Sequence, residues 1–126
     1  MKGSCLCGEV AFEIEGALNP PVACHCSQCR KTSGHYWCAA QAVESGLKLT
    51  KSSTLTWFRS SDYAKRGFCN ACGSSLFWKM DTETTISVAM GALEPPTDMK
   101  IRAHIFVADK GDYYEIEDGP EQLAKY

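Results

Sequence analysis

The chain has no long hydrophobic run, no excess of positive charge and no recognisable leader segment at its start. No apolar stretch approaches the roughly 18 consecutive residues of a membrane-spanning helix. The first cysteine pair begins at Cys5, which leaves no room for the apolar region of a signal peptide. The formal net charge is −2, so the basic surface that binds nucleic acid is missing. These absences predict a cytoplasmic protein that binds neither membrane nor nucleic acid.

Long amphipathic helices and the motifs of several common enzyme classes are also missing. The chain has neither a glycine-rich phosphate loop nor the nucleophile elbow of serine hydrolases. Short segments with period-two alternation recur instead, as where Val10, Phe12 and Ile14 fall on one face. A length of 126 residues suits one compact domain. We therefore predict a mainly β, single-domain protein over residues 1–126, with small antiparallel sheets and at most short helices.

Turn-forming residues divide the chain into candidate strands. The predicted strands are Glu9–Gly16, His35–Val43, Leu47–Lys51, Thr54–Arg59, Ser74–Met80, Thr84–Met90 and Ile101–Ala108. Thr32–Gly34 is predicted as a short helical turn that closes on glycine, and the polar stretch Asp62–Gly67 as a loop.

Cysteine is abundant, and its grouping indicates metal binding. Seven of the eight cysteines fall into three groups, which are Cys5 with Cys7, Cys24 with Cys26 and Cys29, and Cys69 with Cys72. A disulfide framework is the alternative, but a reducing compartment disfavours it and close C-x-C and C-x-x-C spacing is typical of chelation. Zinc is the metal that such thiolate groups favour.

The three groups predict two zinc sites of different character. Cys5, Cys7, Cys69 and Cys72 together supply the four thiolates of a closed, structural site. Cys24, Cys26 and Cys29 supply only three, which leaves one position open, as in catalytic sites. An open zinc beside Arg30 could bind an incoming thiol as thiolate. The matching chemistry is the making or breaking of a carbon–sulfur bond.

The fourth ligand of the central site is left open by the residues alone. Water, a substrate thiol, Cys38 or a histidine could fill it, although Cys38 is more simply a small buried side chain. The ring of His25 would point away from the metal in an extended backbone, which favours a place beside the site or on the surface. Arg30 and Lys31 form either a solvated turn or a pair of cations that offsets thiolate charge or holds the carboxylates of a substrate.

The cysteine-containing motifs resemble those of the glutathione-dependent formaldehyde-activating enzyme family, also called the centromere-protein-V domain. The stretches that carry the resemblance are Gly3-Ser4-Cys5-Leu6-Cys7-Gly8-Glu9-Val10, Cys24-His25-Cys26-Ser27-Gln28-Cys29-Arg30-Lys31-Thr32-Ser33-Gly34, Arg66-Gly67-Phe68-Cys69-Asn70-Ala71-Cys72-Gly73-Ser74-Ser75-Leu76, His104-Ile105-Phe106-Val107 and Tyr113-Tyr114.

The resemblance implies a β-tent fold stapled by zinc, with a structural ion on Cys5, Cys7, Cys69 and Cys72 and a catalytic ion on Cys24, Cys26 and Cys29. It also implies a carbon–sulfur lyase that acts on a thiol adduct, with glutathione and formaldehyde, or another small thiol and aldehyde, as partners. Membership of a family does not by itself fix the substrate.

Two other kinds of function fit the same residues. In the first, both metal sites are structural and the domain is a non-catalytic scaffold for a protein partner. In the second, the central thiolates store zinc or sense oxidants, because exposed zinc-bound thiolates can oxidise and release the metal. The sequence names neither the thiol and aldehyde nor the oligomeric state.

Overall fold

The computed structural model describes residues 1–126, and strands make up most of its regular structure. The strands are β1 (Lys2–Ser4), β2 (Val10–Ile14), β3 (Val22–Cys24), β4 (Trp37–Val43), β5 (Leu47–Ser52), β6 (Leu55–Arg59), β7 (Ala64–Cys69), β8 (Ser75–Met80), β9 (Thr85–Ala89), β10 (Ala103–Ile105) and β11 (Glu121–Gln122). The α-helix is α1 (Ser27–Ser33), and 3₁₀ turns cover Glu44–Gly46, Met90–Ala92 and Val107–Asp109. The prediction of a mainly β fold with only short helices is confirmed.

The strands form two sheets. A three-stranded antiparallel sheet has the order β1-β2-β5. The other sheet has eight strands in the order β11-β10-β3-β4-β9-β8-β7-β6. It is antiparallel from β3 to β6 but parallel where β10 meets β3 and β11. Because β3 has a neighbour on each side, the cysteine segment that follows it starts from a fixed backbone.

The hydrophobic core combines side chains of both sheets. Val10, Phe12 and Ile14 of β2 lie in one buried cluster with residues of β8 and β9. The rings of Phe12 and Phe77 meet edge to face with their centroids 5.1 Å apart, a geometry that aromatic pairs favour. Cys5 and Cys69 belong to the same cluster, so one cysteine group is built into the core.

The helix α1 is short because its ends are fixed by local bonds. Cys26 caps its start, where the Cys26 Sγ accepts a hydrogen bond from the Cys29 amide at 3.4 Å. Gly34 ends it in the left-handed conformation at φ +87°, and its amide donates to the Arg30 carbonyl at 2.8 Å. Glycine adopts this conformation without the steric cost that a Cβ brings. The predicted closure on Gly34 is confirmed, but the helix begins at Ser27 and not at the predicted Thr32.

Two boundaries predicted from the sequence are wrong. The stretch Asp62–Gly67 is not a loop throughout, because strand β7 begins at Ala64. Its charged residues suggest solvent, but Ala64 and Arg66 are both buried. The predicted strand Ile101–Ala108 shortens to Ala103–Ile105, because the chain turns at Phe106, where φ is +54°. No helix is both long and apolar enough to cross a membrane.

Candidate metal centres

Four cysteines from the two ends of a long chain segment come together. The ligand atoms of Cys5, Cys7, Cys69 and Cys72 all lie within 4.8 Å of one another. The Cys5 and Cys7 sulfurs are 3.6 Å apart, and those of Cys7 and Cys69 are 3.7 Å apart. Cys5 and Cys7 lie in the turn between β1 and β2, and the other two lie at the end of β7 and in the turn after it. Four converging soft ligands fit a closed tetrahedral site.

Hydrogen-bond donors surround this group and favour the ionised form of two of its sulfurs. The Val10 amide donates to the Cys5 Sγ at 3.2 Å. The Ser74 hydroxyl lies 3.2 Å from the Cys72 Sγ and, as the largest cause, lowers the pKa of Cys72 to about 5. The Thr54 hydroxyl lies 3.2 Å from the Cys69 Sγ and lowers the pKa of that thiol as well. The pKa of Cys7 moves the other way, to about 12: the bond from the Glu9 backbone lowers it, but burial and the neighbouring sulfurs outweigh that bond. Because metals bind the thiolate form, the donors favour metal binding at Cys69 and Cys72.

The turn between Cys69 and Cys72 closes on glycine. Gly73 has φ +79°, and its amide donates to the Cys69 carbonyl at 2.8 Å. No side chain is strained there because glycine lacks a Cβ. The tight turn brings both sulfurs to one point.

The second group is formed by Cys24, Cys26 and Cys29, whose ligand atoms also lie within 4.8 Å of one another. They belong to the end of β3, the cap of α1 and the first turn of α1. The thiols of Cys24 and Cys29 and the Cys29 amide donate to Cys26, and the pKa of Cys26 falls to about 2. The same bond to Cys26 raises the pKa of Cys24.

No fourth protein ligand joins this second group. Neither Cys38 nor any histidine or carboxylate has a ligand atom within 4.8 Å of all three sulfurs. The Cys38 thiol is half-buried, and burial raises its pKa to about 11, so it has the character of a packed neutral side chain. The two groups therefore differ in their number of cysteines, four against three.

A buried arginine lies against the three-cysteine group. The sequence did not predict it as a site residue. Arg66, in the middle of β7, is only 6% exposed. Its Nη2 donates to the Cys29 Sγ at 3.3 Å and its Nε to the Gln28 Oε1 at 2.7 Å. Its guanidinium carbon lies 5.4 Å from the centroid of the Trp37 ring. Strand β7 thus supplies a fixed positive charge to the cluster.

Arg30, the cation predicted from the sequence, forms its hydrogen bond with the backbone near residue 109 and not with a cysteine. Its Nε donates to the carbonyl of Asp109 at 3.2 Å, in an exposed position. Lys31 beside it is exposed. The role of Arg30 in substrate binding stays a prediction.

All three histidines lie in one aromatic cluster beside the central cysteine segment. His25 is fully buried; its Nδ1 lies 2.7 Å from the Tyr114 hydroxyl and its Nε2 2.8 Å from the His104 Nδ1. The His35 Nδ1 lies 3.2 Å from the Tyr113 hydroxyl. Burial, with the nearby charge of His104, lowers the pKa of His25 to about 4. A neutral His25 therefore links the cysteine segment to the C-terminal tail.

A cavity of about 760 Å³ lies beside α1, a size within the usual range for small-molecule sites. Thr32 and Ser33 of α1 line it, together with Trp37 and Ala89. Cys5 of the four-cysteine group also lines it, whereas the three cysteines of the second group do not. Trp37 and Ala89 also pack against Cys29. The cavity thus borders the side chains that surround the three-cysteine group.

The fold and these centres define a class: a small β-rich protein with one cluster of four cysteines and one of three, each able to hold a metal ion. The family described as "Glutathione-dependent formaldehyde-activating enzyme" matches residues 1–109, and the chain belongs to this family. The resemblance seen in the sequence is confirmed. Membership supports an enzyme of the carbon–sulfur lyase type, also as predicted.

Individual relatives agree with this assignment. A putative glutathione-dependent formaldehyde-activating enzyme of Halomonas elongata is 30% identical over 128 aligned positions, which cover 93% of this chain and 81% of that protein. An uncharacterized lyase of Schizosaccharomyces pombe is 22% identical over 122 positions, covering 91% of this chain and 84% of that protein. A crystal structure of a Rhodobacter sphaeroides protein superposes with a TM-score of 0.65 at 31% identity, covering 78% of this chain and 94% of that one.

Proposed function

We propose that this protein is a zinc-dependent carbon–sulfur lyase that joins a small thiol to a small aldehyde, and releases them again, at the three-cysteine site. Glutathione and formaldehyde are the proposed substrates, in line with the family description. In the forward reaction the sulfur bonds to the carbonyl carbon, the carbon–oxygen π bond breaks, and the thiol proton ends on the oxygen. We further propose that residues 1–126 act as one domain.

The observation that carries the proposal is the difference in ligand number between the two cysteine groups. Four thiols complete a tetrahedral site and leave no position for a substrate. Three thiols leave one position for a further ligand, and a cavity of about 760 Å³ borders Trp37 and Ala89, which pack against Cys29. A zinc ion on each group, held by Cys5, Cys7, Cys69 and Cys72 and by Cys24, Cys26 and Cys29, fits the soft donor sets.

The chain's own residues prepare the site for a thiol. The sulfurs of Cys24, Cys26 and Cys29 would hold the metal, and a bound zinc would supply the positive charge that favours an incoming sulfur as thiolate. Arg66 donates to Cys29 and fixes that ligand from a rigid strand. Because clustered thiols bind metal only when reduced, we place the reaction in a reducing compartment, the cytoplasm.

The proposal is tested by the exchange between formaldehyde and its glutathione adduct, followed by NMR line shapes of ¹³C-labelled formaldehyde. We expect the wild-type protein to accelerate the exchange and Cys26→Ser to abolish the acceleration while far-UV circular dichroism stays native. Cys38→Ser, the matched loss of a thiol outside both groups, should retain two zinc ions per chain. If the zinc-loaded wild type does not accelerate the exchange, the substrate assignment is wrong and a scaffold role gains support.

A further inference from the structure

Arg66 has an unusual surrounding for a buried cation. It is 6% exposed, and none of the ion pairs in the protein includes it. Its Nη1 is buried and has no hydrogen-bond partner. The groups that it contacts are the thiol of Cys29, the side-chain amide of Gln28 and the ring of Trp37. No carboxylate therefore neutralises it.

A guanidinium of this kind needs a counter-charge. Arginine keeps its proton in proteins, so burial cannot remove the charge. An unpaired buried charge is strongly unfavourable, and breaking a buried pair is likewise costly. The nearest source of negative charge is the three-cysteine group, since Nη2 already donates to Cys29 at 3.3 Å.

The position of Arg66 is also fixed by the sheet. Its backbone pairs with Phe58 on β6 and with Trp78 on β8, so β7 is held on both sides. The Nε bond to Gln28 and the Trp37 face orient the guanidinium plane. One donor, Nη1, remains free of protein partners. This arrangement meets the requirement of a preorganised positive group.

We propose that Arg66 is the positioning residue that supplies the counter-charge of the three-cysteine site and makes the site prefer an anionic fourth ligand. The inference rests on the proposed function in that the anionic ligand is a substrate thiolate. Three thiolates and a divalent cation carry a formal charge of −1, and Arg66 brings the sum to zero. A fourth, anionic ligand then makes the summed charge −1, whereas without Arg66 the summed charge would be −2.

The charge count predicts a ligand-specific effect. Removal of the guanidinium charge weakens the binding of an anionic ligand on the order of 10- to 100-fold, the usual range for a charge-assisted hydrogen bond. A neutral ligand adds no charge, so its affinity should change by less than about threefold. A merely structural role for Arg66 would weaken both ligands alike.

The test uses full-length protein loaded with Co²⁺, whose visible absorption reports the ligands of the metal. Glutathione, as the anionic sulfur ligand, and imidazole, as the neutral ligand, are titrated into wild type, Arg66→Gln and Arg66→Lys. Arg59→Gln is the matched control, since Arg59 lies on the exposed strand β6 and pairs with Asp81. We expect Arg66→Gln to lose 10-fold or more of its glutathione affinity, Arg66→Lys to lose less, and imidazole binding to stay the same.

Equal loss for both ligands, or no loss for either, would overturn the proposal. If Arg66→Gln does not fold, Arg66→Lys and Gln28→Leu replace it: the first keeps the charge and alters the fork, and the second frees Nε while keeping the charge. Both should then bind glutathione within about tenfold of wild type; a larger, thiol-selective loss in both would contradict the charge argument. Because no turnover is measured, a wild type that binds glutathione but does not accelerate exchange refutes the proposed function alone.

Discussion

Replacing Cys72 by serine should cost much of the stability of the fold, because it breaks a staple between distant segments. Cys7 and Cys69 are 62 positions apart, and their sulfurs approach to 3.7 Å. Cross-linking a loop of this length removes about 4 kcal/mol of chain entropy from the unfolded state at 25 °C. Serine is a poor ligand for zinc, so we expect Cys72→Ser to lose up to about 4 kcal/mol, which corresponds to a drop of roughly 15 °C in midpoint.

Cys72 is the informative member of the group because it is only half-buried. Serine at the fully buried Cys69 would also place a polar atom in the core, which would confuse the interpretation. Cys38→Ser is the matched control, since Cys38 is also half-buried and lies outside both groups. It should cost less than about 1 kcal/mol.

Unfolding in guanidinium chloride gives the free energy and unfolding by heat gives the thermal midpoint; both are followed by far-UV circular dichroism, with zinc per chain measured on the same samples. Cys26→Ser should lie between the two variants, at about 2 kcal/mol, because its cluster spans a short segment and closure entropy grows only slowly with loop length. A Cys72→Ser protein with the midpoint of Cys38→Ser would refute the idea that the four-cysteine group is a staple.

Three further results are expected. A strong chelator should lower the midpoint of the wild type more than that of Cys72→Ser, which has already lost the staple. Gly3→Ala should cost about 1–3 kcal/mol in the same unfolding assay, because its Cβ would meet the Phe12 ring and lie 2.7 Å from the Ala92 carbonyl; an unchanged midpoint would contradict the packing. Burial lowers the pKa of His104 in the folded protein below its ordinary 6.5. The neutral, buried His104 therefore contributes its full share of the folding stability above pH 6.5, and this share is lost as the pH falls from 6.5 through the pKa of the folded state. His104→Asn should therefore flatten the decline of the midpoint on the acid side of 6.5, and an equally steep decline would exclude this cause.

The cysteine groups could be predicted because their signal is local. A C-x-x-C spacing with a following glycine is typical of a tight turn, and Gly73 after Cys72 has a positive φ. The alternation of apolar and polar residues likewise predicts the strand around Phe12, since one face of β2 packs in the core. Here sequence spacing and structure report the same physical constraint.

The partners of the central site could not be predicted, because they come from distant strands. Arg66 stands in a polar stretch that reads as solvent-exposed, and only the pairing of β7 with β6 and β8 buries it beside Cys29. His25 and His104 are 79 positions apart, yet their rings share a hydrogen bond. One weak local signal remains: Arg66 lies between the small residues Ala64 and Gly67, both of which are buried. Small neighbours of this kind are compatible with a buried strand.

The central claim is that one cysteine group is complete and the other is open to a thiol. It is tested most directly by elemental analysis of zinc per chain in protein purified without chelator, repeated after excess glutathione and desalting. We expect two zinc ions at first, and after glutathione either the loss of one ion or the retention of one thiol per chain. Two zinc ions that neither leave nor retain a thiol would contradict the account, since both sites would then be closed.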